Sequence, residues 1–273
     1  MGKWIRRIVV LVLLAVFLFS VTSIVIILYQ YKVSDELYES TASQYTTIQV
    51  SPDGEGTDAQ MPEGEQAAPE AVEAAPVSVD FEGLKAVNPD VTGWIYCEDT
   101  PINYPVVLGE DNDFYLKHNF DGTDSASGSI FIEADNRPGL VDSNTIIYGH
   151  HMKNGSMFAT LDKWAEQEYY EGHPVMWLLT PEQDYKIILF AGYTTSASSD
   201  TYAIFDGPCE ELDEYLAKCK GQSDFNADVE LESDARYVLL STCAYVFDNA
   251  RYVLHGKLVP VDSAGGVPLR ACN

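Results

Sequence analysis

The apolar run "RYVLLSTC" ends on Cys243, and the next run, "RYVLHGKLVPV", opens on Arg251. A thiol so placed can simply pack, because free cysteine is among the most buried residue types. It can also act: a thiolate attacks acyl carbons when one neighbour handles protons and another supports the oxyanion that develops on the carbonyl. Arg251 offers the second function, since a planar guanidinium donates two parallel hydrogen bonds. Five histidines could serve the first. His150 and His151 follow an apolar run and a glycine in "NTIIYGHHMKNG", His255 lies within the Arg251 run, and His118 and His173 stand in polar loop contexts. Spacing leaves His150, His151 and His255 equal. With no CxxC pair and no Cys/His cluster, neither a metal nor a cofactor is expected.

The elements that must position these groups are short strands. Side chains alternate along a strand, so Tyr237, Leu239, Ser241 and Cys243 share one face, as do Arg251, Val253, His255 and Lys257. A hairpin across "AYVFDNA" brings Arg251 close to Cys243. Further β runs are "VTGWIYC", "SGSIFIE", "NTIIYGH", "VMWLL" and "YKIILFAGY", separated by Gly, Pro, Asn and Asp turn signals. No regular helix intervenes between successive runs, which favours a mainly antiparallel barrel or sandwich over a doubly wound sheet. Helix is expected at "FEGLKAVN", in "GSMFATLDKWAEQEYYEGH" and over 206–220.

Upstream, residues 8–28 carry no charge, and 21 helical residues span about 30 Å, the thickness of a bilayer's hydrocarbon core. No A-x-A-like site follows, so an uncleaved anchor is favoured over a signal peptide. Lys3, Arg6 and Arg7 precede the span while Asp35, Glu36 and Glu39 follow it, which places the N-terminus in the cytoplasm and the rest of the chain outside. Residues 34–79 are rich in Pro, Gly, Ala and Glu and read as a flexible acidic stalk. The resulting division is 1–33 cytoplasmic tip and anchor, 34–79 stalk, 80–262 catalytic domain and 263–273 tail. A net charge of −26 argues against nucleic acid as a partner. Five cysteines are an odd count for an exported chain. Cys209 and Cys219 sit about 15 Å apart along one expected helix, too far for a disulfide. Cys97 and Cys272 have no assigned role.

The chain resembles the sortases, membrane-anchored cysteine transpeptidases of Gram-positive surfaces, over about Phe81 to Val261. "LLSTC" with Arg251 is similar to the family signature T-L-x-T-C and its downstream arginine, with Leu239 in place of the first Thr. "YGHHMKNGSMF" is similar to the histidine segment, in which the His directly after Gly is catalytic, hence His150. That form, the early "FEGLKAVNPDVTGWIYCEDTPINYPVV" block and the helical insert before the Cys strand resemble class B members. The resemblance implies an eight-stranded β-barrel with N-terminal helices and a helical insertion, preceded by a single transmembrane helix. It also implies Cys243, His150 and Arg251 as the catalytic set, and Asn112, Leu116, Tyr202 and Ser241 as candidates for the groove that takes the sorting signal.

The implied partners are surface proteins bearing a C-terminal sorting signal, a lipid-linked peptidoglycan precursor that presents an amine, and the membrane through the N-terminal helix. In the implied reaction the chain is cleaved after Thr through a thioester and passed to that amine. A pilus-polymerising sortase using a pilin Lys, a Cys/His wall peptidase and an adhesin whose Cys243 merely packs are the competing readings. The peptidase is disfavoured because such folds run Cys before His and place the Cys on a helix.

Overall fold

Between residues 77 and 261, short runs rich in β-branched and aromatic residues form strands, several of them buried along nearly their whole length. The computed structural model describes residues 2–49, 74–244, 246 and 248–261. In chain order the elements are α1 (Lys3–Tyr45), β1 (Thr46–Ile48), β2 (Val77–Val79), α2 (Phe81–Val87), β3 (Val91–Tyr96), β4 (Asn103–Val107), β5 (Ile130–Ile132) and β6 (Asn144–Tyr148). They continue with α3 (Gln167–Gly172), β7 (Val175–Leu179), β8 (Asp184–Ser196), α4 (Glu210–Gln222), β9 (Arg236–Cys243) and β10 (Ala250–Val261). Eight of the strands close into a barrel in the order β10-β8-β7-β3-β4-β5-β6-β9.

Closure depends on two parallel pairings, β4 with β5 and β6 with β9; the other pairs are antiparallel. Sequence patterning misses β4, because Pro105 cannot donate to a ladder and masks the run "NYPVV". The insertion after β6 contributes less helix than its pattern suggests, a 3-10 turn at Leu161–Ala165 followed by the single-turn-scale α3.

Two apolar clusters hold the domain. One fills the barrel and takes Val238 and Leu240 from β9 and Tyr252 and Leu254 from β10. The other lies on the outer face, where Tyr237, Leu239 and Val253 meet Leu212, Tyr215, Leu216 and Cys219 of α4. The alternation along β9 is therefore divided between two cores. The α4 residues fall at i, i+3, i+4 and i+7, one face of a helix.

Residues 34–45, expected to belong to a flexible stalk, are helical. Helix α1 continues without a break to Tyr45, and Ser34, Tyr38 and Thr41 are buried on it. With Tyr45 these residues recur at helical spacing, a stripe that the acidic composition of the whole segment conceals. Strands β1 and β2 then pair antiparallel, so residues 46–48 and 77–79 are ordered structure as well. Residues 50–73, the body of the expected stalk, and the expected tail at 263–273 lie outside the described residues. Forty-three helical residues extend about 65 Å, and the N-terminal part is long and apolar enough to cross a membrane.

Candidate active site

Strand β9 lies between β6 and β10, and its neighbours' registers bring the reactive groups together. Arg251 pairs directly with Cys243 across the β9–β10 hairpin. On the other side Tyr148 pairs with Ser241 in parallel, and the ladder continues one step as the Gly149 N–H donates to the Ser241 carbonyl at 3.1 Å. The chain therefore leaves β6 at His150 beside the place where it leaves β9 at Cys243. A cavity of about 410 Å³ opens there. All seven residues expected from the sequence line it: Asn112, Leu116, His150, Tyr202, Ser241, Cys243 and Arg251. A larger cavity, about 540 Å³, lies between α1 and the barrel beside Asp35, Glu39 and Asn154, but no cysteine or histidine lines it.

His150 is held by backbone. Its Nε2 lies 2.8 Å from the Leu116 carbonyl, which can only accept, so Nε2 carries a proton and Nδ1 is the nitrogen free to take or give one. The preceding glycine is required by packing, since a Cβ at Gly149 would lie 2.5 Å from Ile130 Cδ1 and 2.7 Å from Phe158 Cδ2. The Phe158 N–H donates to the His150 carbonyl at 3.0 Å and closes the following loop.

The environments of the other histidines separate what spacing could not. His255 is buried beneath α4, 3.2 Å from the Tyr193 hydroxyl, and burial pushes its pKa down to about 3. It stays neutral at working pH. His151 is paired with Asp162 at 3.2 Å, His118 stacks on Phe114 and meets Asp124, and His173 bonds to the Tyr169 carbonyl. Among the described residues, His150 is the histidine that lines the cavity with Cys243.

The cysteines divide in the same way. Cys97 and Cys219 are buried, and burial pushes the Cys97 thiol up to about 12 and raises that of Cys219. Cys209 and Cys243 are half-buried, and all four are free thiols. Arg251 donates from Nη1 to the Ala250 carbonyl at 3.0 Å and, among the described residues, forms no ion pair. Among the described residues its other donors make no hydrogen bond, so they can serve a ligand.

The walls are pinned from behind. Asn112 Nδ2 donates to the Glu133 carboxylate, Asn112 Oδ1 accepts from the Ala134 N–H at 2.9 Å, and the Tyr148 hydroxyl donates to Glu133 Oε2 at 2.7 Å. Opposite, the Tyr202 and Ser241 hydroxyls lie 2.9 Å apart. The segment carrying Tyr202 is tied down by Asn144 to the Ala203 carbonyl at 2.7 Å and by Arg137 to the Asp206 carbonyl at 2.6 Å. Arg137 in turn pairs with Asp142; burial works against that carboxylate's charge, but hydrogen bonds from Asn136 and Arg137 outweigh it and hold the pKa below the usual range. Burial raises the Tyr202 hydroxyl above its ordinary value despite the nearby Arg251 charge, so the wall is uncharged there. Sequence reasoning missed Glu133 and Tyr148. Tyr148 was within reach, because it precedes the glycine in "YGHHMKNGSMF". Among the described residues no group of three or more His, Cys, Asp or Glu is placed to hold a metal.

A family model for the sortase domain matches residues 95–259. Sortase B of Listeria monocytogenes is 34% identical over 253 residues, 91% of this chain and 94% of that protein. The crystal structure of Staphylococcus aureus sortase B aligns with a TM-score of 0.63 at 31% identity, covering 67% of this chain and 87% of that one. Sortase B of Bacillus anthracis aligns with a TM-score of 0.66 at 30% identity, covering 86% and 100%.

Proposed function

The chain belongs to the sortase family, on its class B branch, and is a cysteine transpeptidase; from that premise we propose that Cys243, His150 and Arg251 carry out the transfer of a surface protein from its C-terminal sorting signal to an amine of a lipid-linked peptidoglycan precursor. The observation that carries this reading is the shared cavity, in which Arg251 stands directly across the ladder from Cys243 and His150 leaves the adjacent parallel strand.

In the first half-reaction the Cys243 thiolate attacks the carbonyl carbon of a Thr in the sorting signal. Negative charge develops on the carbonyl oxygen, where the free donors of Arg251 stabilise it. The C–N bond breaks as His150 gives a proton from Nδ1 to the departing amine, and a thioester remains. In the second half-reaction the acceptor amine attacks the thioester, His150 takes the proton that the amine loses, and an amide forms as the thiolate leaves. Asn112, Leu116, Tyr202 and Ser241 form the groove that receives the signal. Their rigid backing limits the ordering cost of binding an extended peptide.

Helix α1 is the anchor in this reading, N-terminus in the cytoplasm and barrel outside, which confines enzyme, donor and acceptor to one membrane face. The test is incubation of the protein with a panel of sorting-signal peptides and candidate amines, with products identified by mass. The expected products are a peptide cut after Thr and its amide with a peptidoglycan-type amine. Hydrolysis alone would contradict transfer, and a preference for a pilin Lys would replace the acceptor.

A further inference from the structure

The loop between β4 and β5, residues 108–129, contains the Leu116 carbonyl that holds His150 Nε2 at 2.8 Å. The Tyr38 hydroxyl of α1 is bonded to this loop at more than one point. Tyr38, 4% exposed, donates to the Gly128 carbonyl at 2.7 Å, accepts from the Phe120 N–H at 3.3 Å and lies 3.3 Å from Ser129 Oγ. It thereby clips together two points of the loop, Phe120 and Gly128, both on the C-terminal side of Leu116. Gly128 is also where the loop meets the histidine: it has φ +58°, and a Cβ there would lie 2.9 Å from the Leu116 carbonyl oxygen and 3.0 Å from His150 Cδ2. The residue that Tyr38 bonds is thus packed against both the ring of His150 and the carbonyl that orients it.

We propose that Tyr38 is a positioning residue for His150, so that the helix carrying the apolar span also sets the geometry of the active site. The inference rests on His150 being the proton carrier. Tyr38 stands ten residues beyond Leu28 on the same unbroken helix, about 15 Å along it. Span and histidine are therefore joined by one rigid element, two hydrogen bonds and the packing of Gly128 between them. A side chain on a different element from the chemistry can act in this way because a displacement of about 1 Å can cost ~10²-fold in rate.

The test uses the full chain in detergent micelles and needs no identified substrate. The rate of Cys243 alkylation by iodoacetamide is followed against pH by mass mapping of the Cys243 peptide, in wild type, Tyr38→Phe, His150→Ala and Ser34→Ala, beside thermal melts. Ser34 meets Ser125 at the same seam at 2.7 Å without bonding Gly128, so it reports loss of helix docking alone. His150→Ala is expected to slow alkylation at neutral pH and displace the profile, because a neighbouring imidazolium favours the thiolate. Tyr38→Phe is expected to move the profile part of the way toward His150→Ala, with Ser34→Ala as in wild type. A wild-type profile in Tyr38→Phe beside a displaced one in His150→Ala overturns the positioning role and leaves the His–Cys pair standing. Wild-type profiles in both overturn the pair and the positioning role with it. A shift in Ser34→Ala equal to that in Tyr38→Phe overturns the specific role of the hydroxyl.

Discussion

At one end of the outer face of β9 and β10, His255 pairs with Leu239 beneath α4 and is enclosed by the rings of Phe190, Tyr193 and Tyr215. At the other end of the same face, past Val253 opposite Ser241, the cover stops and Arg251 and Cys243 border an open cavity. The same contrast recurs between two thiols that lie at that face, one on α4 and one on β9. Cys219 on α4 accepts a hydrogen bond from the Tyr193 hydroxyl and is held protonated by burial, while Cys243 is half-buried at the rim. Each end of the face thus has a histidine near a thiol, one of the two from the sheet and the other from a neighbouring element, and the two ends differ in solvent access. The ladder positions the groups, and α4 determines which end stays silent.

The sharpest way to break this contrast is to remove the rim thiol. Cys243→Ala is expected to abolish peptide cleavage and transfer with an unchanged melt, because a methyl cannot form the acyl intermediate; Cys219→Ala is expected to retain most activity. Next in size is the histidine pair. His150→Ala should lower turnover by about 10²- to 10⁴-fold, the range of general acid–base catalysis, whereas His255→Gln should keep a substantial fraction. If His255 proved essential, the covered end would be chemically active and the contrast would fail. Arg251→Lys follows, with a loss of roughly 10²- to 10³-fold in kcat, a smaller effect on KM and an unchanged melt, since a point charge on a flexible stem does not replace a planar donor pair.

The covered end should reveal itself in stability rather than rate. His255 has its folded pKa lowered to about 3, below the 6.5 of an unperturbed histidine, so the unfolded chain binds the extra proton between those values. Stability from neutral burial is complete above about pH 6.5 and is lost as pH falls toward 3, by about 2 kcal/mol at pH 5. Thermal melts of wild type and His255→Gln across pH 5 to 7.5 check this: the variant should lose that part of the slope, and equal slopes would contradict it. The smallest effect is expected at His151, which pairs with Asp162 and is not among the residues lining the cavity; His151→Ala should leave turnover within a few-fold of wild type.

Much of this arrangement is legible in the sequence for a simple reason: a period of two is local. Alternation along 236–243 and 251–257 correctly places Cys243 and Arg251 on one face, and a hairpin needs only the turn between them. The parallel pairing of β6 with β9 joins Tyr148 to Ser241 across 93 positions, and no local pattern encodes it. For that reason spacing alone left three histidines equal, and the resemblance of "YGHHMKNGSMF" was needed to single out His150. Glu133 escaped because a carboxylate that braces Asn112 and Tyr148 from behind has no signature of its own. The continuation of α1 escaped because composition averaged over 34–79 outweighs a four-residue stripe at helical spacing.

Whether the open end of the β9–β10 face holds the acyl group is read by mixing the protein with a sorting-signal peptide in the absence of acceptor amine, quenching in acid, and mapping the adduct by mass. One acyl adduct is expected, on Cys243, released by hydroxylamine as a thioester is, and longer-lived in His150→Ala once formed, because the histidine that takes the attacking water's proton is missing. An adduct on another residue, or cleavage by Cys243→Ala, would contradict it.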